Sequence, residues 1–170
     1  MTLAPAIAFD IETLASTAAA RRILIIGHAS DSILTEYEQQ CRALGTPLVI
    51  ETSPPDSWLQ STQSGSFDLI IAVNVIESWP TDQGIQFVAA LRDRQSAPFC
   101  LLYDWQQATE HTPWQLTDFL SLGMVRVNQY QWQGVHSALF KYSIDSYKRT
   151  PDWLNPDNWA NPDLWGKYWW

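Results

Sequence analysis

The chain has little charge for its length, and most of that charge is negative. Charged residues make up 16% of the sequence, below the roughly 25% of typical globular proteins. Ten Lys and Arg stand against eighteen Asp and Glu, which gives a formal net charge of −8. Because an acidic chain without a basic cluster is poorly suited to holding a phosphate backbone, the composition argues against nucleic-acid binding.

Cysteine and long apolar runs are also scarce. The two cysteines, Cys41 and Cys100, lie far apart among apolar or helical neighbours, so we expect two reduced core thiols, with one disulfide as the alternative. Residues 1–16 contain no Lys or Arg, and this predicts that they are not a secretory signal. No apolar run approaches the roughly eighteen residues of a membrane span. We therefore expect a cytoplasmic protein with no membrane partner.

Tryptophan, in contrast, is abundant and unevenly placed. Five of the ten tryptophans fall within the last eighteen positions, three of them after Pro-Asp pairs. Five exposed indoles would form a larger apolar patch than a monomer in solution usually tolerates. We expect an α/β domain over residues 1–146 and a Trp-rich extension over residues 147–170. This extension packs either on its own domain or on a partner, a homodimer included.

Short apolar runs alternate with helical segments along most of the chain. The predicted strands cover residues 23–26, 47–51, 67–73, 99–103, 125–132 and 135–144. The predicted helices cover residues 5–20, 33–44, 56–62, 81–92 and 113–122. Such alternation indicates βαβ units around a parallel sheet. The last two strands, joined through Gln133 and Gly134, predict an antiparallel hairpin.

This order of elements resembles that of the class I S-adenosylmethionine-dependent methyltransferases. Residues 22–32 correspond to the first strand and glycine-rich loop of that family, and residues 66–77 look like its fourth strand and the turn that follows. The resemblance implies a three-layer, Rossmann-like fold. The stretch between Glu51 and Phe67 is too short for the usual helix, strand and loop, so we expect one edge strand to be missing. The whole chain, with its Trp-rich end, also resembles an uncharacterised proteobacterial family of unknown function.

The resemblance implies a cofactor site for S-adenosylmethionine at the carboxyl ends of the strands. The implied contacts come from the loop after the first strand, from an acid at the end of the second strand and from the end of the third strand. They are Gly27, His28, Ser30, Asp31, Glu51 and Asn74. Physically, a helix that follows a glycine loop offers free N–H groups, and a carboxylate can accept two ribose hydroxyls.

The sequence also departs from the family pattern at this site. Gly27 alone remains of the three loop glycines, and Ile25 stands where the family has an acid for the methionine amino group. A structural alternative therefore stays open for each implied contact. Gly27 makes a tight turn, Asp31 caps a helix, and Glu51 faces solvent at a strand end.

No residue can be assigned as a general base from the sequence. Where the family pattern continues to Glu-His, Glu77 is followed by Ser78. Asp104, after the fourth strand, has the chemistry to accept a proton, and Trp105 has the shape to stack on a flat ligand; alternatively, both belong to the rim of the core. Because His111 and His136 have no companions at metal-ligand spacing, we predict no metal site.

Two functional hypotheses follow from these observations. The first is a divergent S-adenosylmethionine-dependent methyltransferase-like protein with an eroded cofactor loop and an unidentified substrate. The second is a non-catalytic binding or assembly module with the same fold, which contacts a small-molecule or protein partner through the Trp-rich extension.

Overall fold

A computed structural model describes residues 4–27, 33–60, 66–94, 97–108, 114–144 and 167. Helices and strands alternate as the sequence predicts. The helices are α1 Pro5–Thr17, α2 Thr35–Ala43, α3 Pro55–Gln60, α4 Thr81–Arg94 and α5 Leu116–Ser121. The strands are β1 Arg22–Gly27, β2 Val49–Ser53, β3 Leu69–Val73, β4 Phe99–Asp104, β5 Val125–Trp132 and β6 Val135–Tyr142.

All six strands form one mixed sheet in the order β2-β1-β3-β4-β6-β5. The pairs β1–β2, β1–β3 and β3–β4 are parallel, and the pairs β4–β6 and β5–β6 are antiparallel. The prediction of a mostly parallel sheet with an antiparallel C-terminal pair is confirmed, and among the described residues β2 is the outermost strand on its side.

The helices cover both faces of the sheet and produce the predicted three layers. One apolar cluster joins α1 and α2 to the side chains on one face of the sheet. The other cluster joins α3, α4 and α5 to the opposite face. Every residue of β3 and of β4 is buried, because a parallel strand between two helical layers needs apolar side chains on both sides.

Local turn chemistry explains the hairpin at the end of the domain. Gln133 and Gly134 have φ angles of 49° and 82°, and a two-residue turn with both central φ angles positive matches the right-handed twist of its strands. The predicted hairpin between β5 and β6 is therefore confirmed. Cys41 and Cys100 are buried and free, as predicted.

Most elements differ from the sequence prediction by one to three residues at one or both ends, and two of these differences have a clear physical reason. Strand β2 runs from Val49 to Ser53, so the prediction that it ends at Glu51 is wrong; Thr52 and Ser53 continue the pairing with β1. Helix α2 starts at Thr35, two residues later than predicted. The hydrogen-bond acceptor at the start of α2 comes from another helix, because the Glu12 carboxylate on α1 accepts the backbone N–H of Glu36 at 2.8 Å.

The described part of the chain contains no helix that is both long enough and apolar enough to cross a membrane. The Trp-rich extension predicted for residues 147–170 lies outside the described residues, apart from Lys167.

Candidate functional site

The strand order reverses between β1 and β3. From β1 the chain moves to β2 on one side, and β3 then returns to the other side of β1. In open α/β sheets, ligands bind at such a reversal, outside the carboxyl ends of the strands. Gly27 ends β1, and Asn74 directly follows β3. Two of the residues implied by the family resemblance therefore lie at the topological switch point.

Close contacts with neighbouring protein atoms require a glycine at position 27. Its φ angle is +97°, and a Cβ at this position would lie 2.3 Å from the Val73 carbonyl oxygen and 2.8 Å from Val75 Cγ2. No real Cβ tolerates such contacts, so β1 and β3 approach closely only because this residue is glycine. The tight-turn alternative thus accounts for Gly27 without a ligand.

Asn74 also has a left-handed backbone, with φ at +51°. Asparagine tolerates this region better than most side chains, which explains the residue type at this strand exit. The backbone N–H of Asn74 donates to the Leu102 carbonyl at 3.4 Å, so the turn stays attached to β4. Its side chain lines a cavity at this edge of the sheet.

This cavity of about 400 Å³ lies beyond the ends of β3 and β4, under the start of α1 and beside the β5–β6 turn. Its size falls in the usual range for small-molecule sites. Apolar and polar side chains both contribute to the wall. The lining residues are Ala4, Ile7, Asn74, Leu102, Asp104, Gln106, Gln107, Trp132, Gln133, Val135 and Ser137. A second depression of about 370 Å³ lies beside the start of β2, away from the carboxyl ends of the strands.

Asp104 places a buried carboxylate in the cavity wall. The residue is only 2% exposed. Its Oδ1 accepts the backbone N–H of Gln106 at 2.9 Å, and its Oδ2 accepts the Gln107 side-chain amide at 2.9 Å. The turn after β4 therefore folds back on the carboxylate and fixes its orientation.

A second carboxyl group, that of Glu77, lies behind Asp104. Glu77 is 3% exposed, and its Oε1 accepts the backbone N–H of Asp104 at 3.0 Å. Burial raises the pKa of Glu77 to about 7. Within the described part of the chain, Glu77 Oε2, the Tyr103 hydroxyl and the Trp114 indole N–H are buried without a hydrogen-bond partner. The end of β4 thus concentrates polar groups that are sheltered from water.

The structure separates Glu51 from this edge of the sheet. Glu51 pairs in register with Leu24, three residues before Gly27, which is about 10 Å along the strand at roughly 3.3 Å per residue. Its carboxylate accepts the Arg22 guanidinium at 2.7 Å. The expectation that Glu51 ends its strand is therefore wrong. Its implied contact with a ribose stays a prediction, one that the ion pair with Arg22 does not favour. His28, Ser30 and Asp31 lie outside the described residues, and their predicted contacts stay predictions.

Trp105 belongs to the rim of the core. Its indole N–H donates to the Trp114 carbonyl at 3.1 Å, and its ring packs edge-on against Tyr103 at 5.2 Å between centroids. Of the two alternatives for this residue, the structure supports the packing one. Among the described residues, no three His, Cys, Asp or Glu side chains are placed to hold a metal ion.

The sequence did not single out most of the cavity lining. Gln106, Trp132 and Ser137 come from three different elements, and only the folded sheet brings them together. The sequence could indicate part of this lining only by position. Asp104 ends a buried strand and Gln106 follows it, and the carboxyl end of this strand lies at the same edge of the sheet as that of β3.

The sequence pattern of DUF6231, described as a family of unknown function, matches residues 6–170. The chain belongs to this family. A comparison with curated proteins gives no match. The family therefore supplies no activity, and the fold provides the remaining comparison.

Solved structures show the same fold at low sequence identity. Magnesium protoporphyrin IX methyltransferase from Synechocystis PCC 6803, solved with bound SAH (S-adenosylhomocysteine), is 10% identical, with a TM-score of 0.50 over 79% of this chain and 80% of that one. RosA, an N,N-8-amino-8-demethyl-D-riboflavin dimethyltransferase from Streptomyces davawensis, is 14% identical, with a TM-score of 0.50 over 81% of this chain and 54% of that one. The DUF6231 chain therefore has a divergent methyltransferase-like fold.

Proposed function

We propose that this DUF6231 chain is a divergent methyltransferase-like protein that binds S-adenosylmethionine across the carboxyl ends of β1 and β3. The observation that carries the proposal is the topological switch point between β1 and β3, where Gly27 ends one strand and Asn74 follows the other. The 400 Å³ cavity beside it leaves room for a second ligand next to the cofactor. The methyltransferase-like fold supports the proposal, because one of its structural neighbours was solved with S-adenosylhomocysteine.

The residues present suit part of such a cofactor. The Asn74 side-chain amide, at the switch point, can both donate and accept hydrogen bonds. In the proposal, Asn74 and the backbone at Gly27 hold the cofactor, together with the loop residues His28, Ser30 and Asp31 that the family resemblance implies. When bound, S-adenosylmethionine supplies an electrophilic methyl group. The task of this chain is to hold the acceptor in line beside that group, and such positioning supplies most of the rate.

The test is a thermal-shift titration of the full chain with S-adenosylhomocysteine. A ligand that binds the native state at about 100 times its Kd stabilises it by about 2.7 kcal/mol, so we expect Tm to rise by several degrees. Asn74→Gly keeps the left-handed backbone and removes the amide, and it should reduce the shift. Ala19→Gly is the matched control, because Ala19 also has a left-handed φ, at +46°, but lies at the far end of α1.

The variant Glu51→Ala tests whether Glu51 contacts the cofactor, as the resemblance implies, or serves only as the ion-pair partner of Arg22. Because Glu51 lies mid-strand and is paired with Arg22, we expect this variant to retain the shift. The absence of any shift at millimolar S-adenosylhomocysteine in the unmodified protein would contradict the proposal.

A second candidate function is a non-catalytic binding or assembly module. It is favoured by Ile25, which occupies the position of the family's amino-group acid and is buried in the apolar cluster under α1 and α2. In this case the contact with a small-molecule or protein partner, or with a second copy, involves the Trp-rich extension. A protein without a thermal shift, but with a dimeric or larger mass in solution, would support this candidate over the first.

A further inference from the structure

The cavity at the ends of β3 and β4 has an acidic character. Asp104 contributes a carboxylate to its wall, and no Lys, Arg or His is among the described lining residues. A carboxylate has about four acceptor positions, and internal hydrogen bonds occupy two of those of Asp104. The wall therefore offers negative charge and free acceptor capacity to a ligand.

Hydrogen bonds within the protein hold this carboxylate in place. The Glu77 carboxyl accepts the Asp104 N–H, the backbone N–H of Trp105 donates to the His136 carbonyl at 3.0 Å, and the Gln106 side chain donates to the Gly134 carbonyl. These bonds tie the turn after β4 to the hairpin turn. Because protein groups already fix the Asp104 carboxylate, a ligand does not have to order it on binding.

The rest of the wall suits an organic cation better than a metal ion. Trp132, 46% exposed, is the aromatic residue of the lining, and Ile7, Leu102 and Val135 contribute apolar surface. An aromatic face attracts ammonium groups, and apolar side chains accommodate the carbon skeleton that carries them. The remaining polar groups are amides and one hydroxyl, which are neutral.

We infer that this cavity binds a small organic cation through its ammonium group, with Asp104 as the charge partner and Trp132 as the aromatic wall. The inference rests on the proposed function in one respect, since it makes the ammonium group the anchor of the methyl acceptor. A protonated nitrogen has no lone pair, so the anchored nitrogen does not itself receive the methyl group. The methyl acceptor would be a lone pair on another atom of the same ligand; the new bond to the methyl carbon would form as the sulfonium S–CH3 bond breaks, and S-adenosylhomocysteine would leave.

A titration with three probes of one shape tests the inference. Hexylammonium, 1-hexanol and hexanoate have the same carbon chain and differ in charge. Their binding to the full chain is followed by the indole N–H resonances of nitrogen-15-labelled protein, with and without saturating S-adenosylhomocysteine. We expect hexylammonium to bind at least tenfold more tightly than 1-hexanol, and hexanoate to show no binding.

Two variants and one control locate the binding. Asp104→Asn removes the charge and should weaken hexylammonium binding at least tenfold. Gln133→Lys, at an exposed turn position in the cavity wall, adds a tethered ammonium group that competes with the probe, and should weaken binding by a similar factor without disturbing the core. Asp93→Asn makes the same charge change on the exposed end of α4 and should leave the affinity within twofold.

Equal binding of hexylammonium and 1-hexanol would overturn the inference, as would undiminished affinity in both cavity variants. Competition between hexylammonium and S-adenosylhomocysteine would also overturn it, because the cavity would then be part of the cofactor site. If the proposed function is wrong and this inference is right, S-adenosylhomocysteine will not bind, but hexylammonium will still bind with the expected affinity.

Discussion

At the scale of single residues, Glu77 places a protonation equilibrium inside the domain. Desolvation by burial raises its pKa from 4.5 to about 7. The folded protein therefore holds this proton more tightly than the unfolded chain. Stability is highest below the unfolded pKa and falls as the pH rises through the folded pKa.

We predict that raising the pH from 5 to 8 lowers the free energy of unfolding through Glu77 by up to about 3 kcal/mol, at 1.36 kcal/mol per pKa unit. Glu77→Gln should match the unmodified protein at pH 5 and exceed it at pH 8, because the amide still accepts the Asp104 N–H and carries no charge. Urea unfolding at the two pH values measures the difference. Glu38→Gln, on the surface of α2, serves as the control; parallel pH profiles for the unmodified protein and Glu77→Gln would refute the prediction.

Residue identity alone could predict part of the candidate site. The family resemblance implied Gly27 and Asn74, and both lie at the switch point, one at the end of an apolar strand and the other just after one. Glu51 was misplaced because the sequence does not show that Thr52 and Ser53 extend β2, nor that Arg22 binds the carboxylate. Such a long-range ion pair depends on strand register, which local patterns do not contain.

At the scale of elements, α1 and α2 are joined through a carboxylate that caps one helix from the other. Glu12 Oε1 accepts the N–H groups of Glu36 and Tyr37 at 2.8 and 3.2 Å. The first N–H groups of a helix have no partner within the helix, and a negative charge there also interacts favourably with the helix dipole.

Glu12→Ala should therefore destabilise the protein by about 1–2 kcal/mol, the usual cost of a lost helix cap. Glu38→Ala removes a carboxylate from the first turn of α2 without removing a cap, and should cost less than about 0.5 kcal/mol. Denaturant midpoints at constant m-value provide the comparison. Equal losses in the two variants would show that the α1–α2 contact is only electrostatic.

The elements themselves could largely be predicted from hydrophobic periodicity and turn residues. Their ends could be predicted only where the signal was local, as at the Gln133-Gly134 turn. The start of α2 could not, because its cap comes from Glu12, more than twenty residues earlier in the chain.

At the scale of the whole molecule, the Trp-rich extension was predicted to pack against the domain or a partner. We expect removal of residues 147–170 to lower Tm, because each buried indole contributes a few kcal/mol at about 25 cal/mol per Å². We also expect the shortened chain to have the mass of a monomer in solution. Light scattering and thermal melting of the full and shortened chains measure both quantities. If the two chains match in Tm and mass, the extension has neither role.

The fold class could be predicted because the alternation of strands and helices along the chain leaves few possible arrangements of the sheet. Apolar runs such as Leu69–Val73 are compatible with few architectures other than a sheet between two helical layers. The cavity could not be predicted in the same way, because α1, β4 and the β5–β6 turn enclose it jointly.

The edge position of β2 has a consequence for how copies of this protein associate in solution. In the described part of the chain, β2 is a border strand whose outer N–H and C=O groups face no neighbouring strand. Such borders invite strand-to-strand association between molecules, and charged side chains discourage it. Glu51 and Arg22 place an ion pair at this border. A surface ion pair adds little to folding stability, so we expect the main effect of this one to be on association, with copies pairing through β2 less readily than they would along an uncharged border.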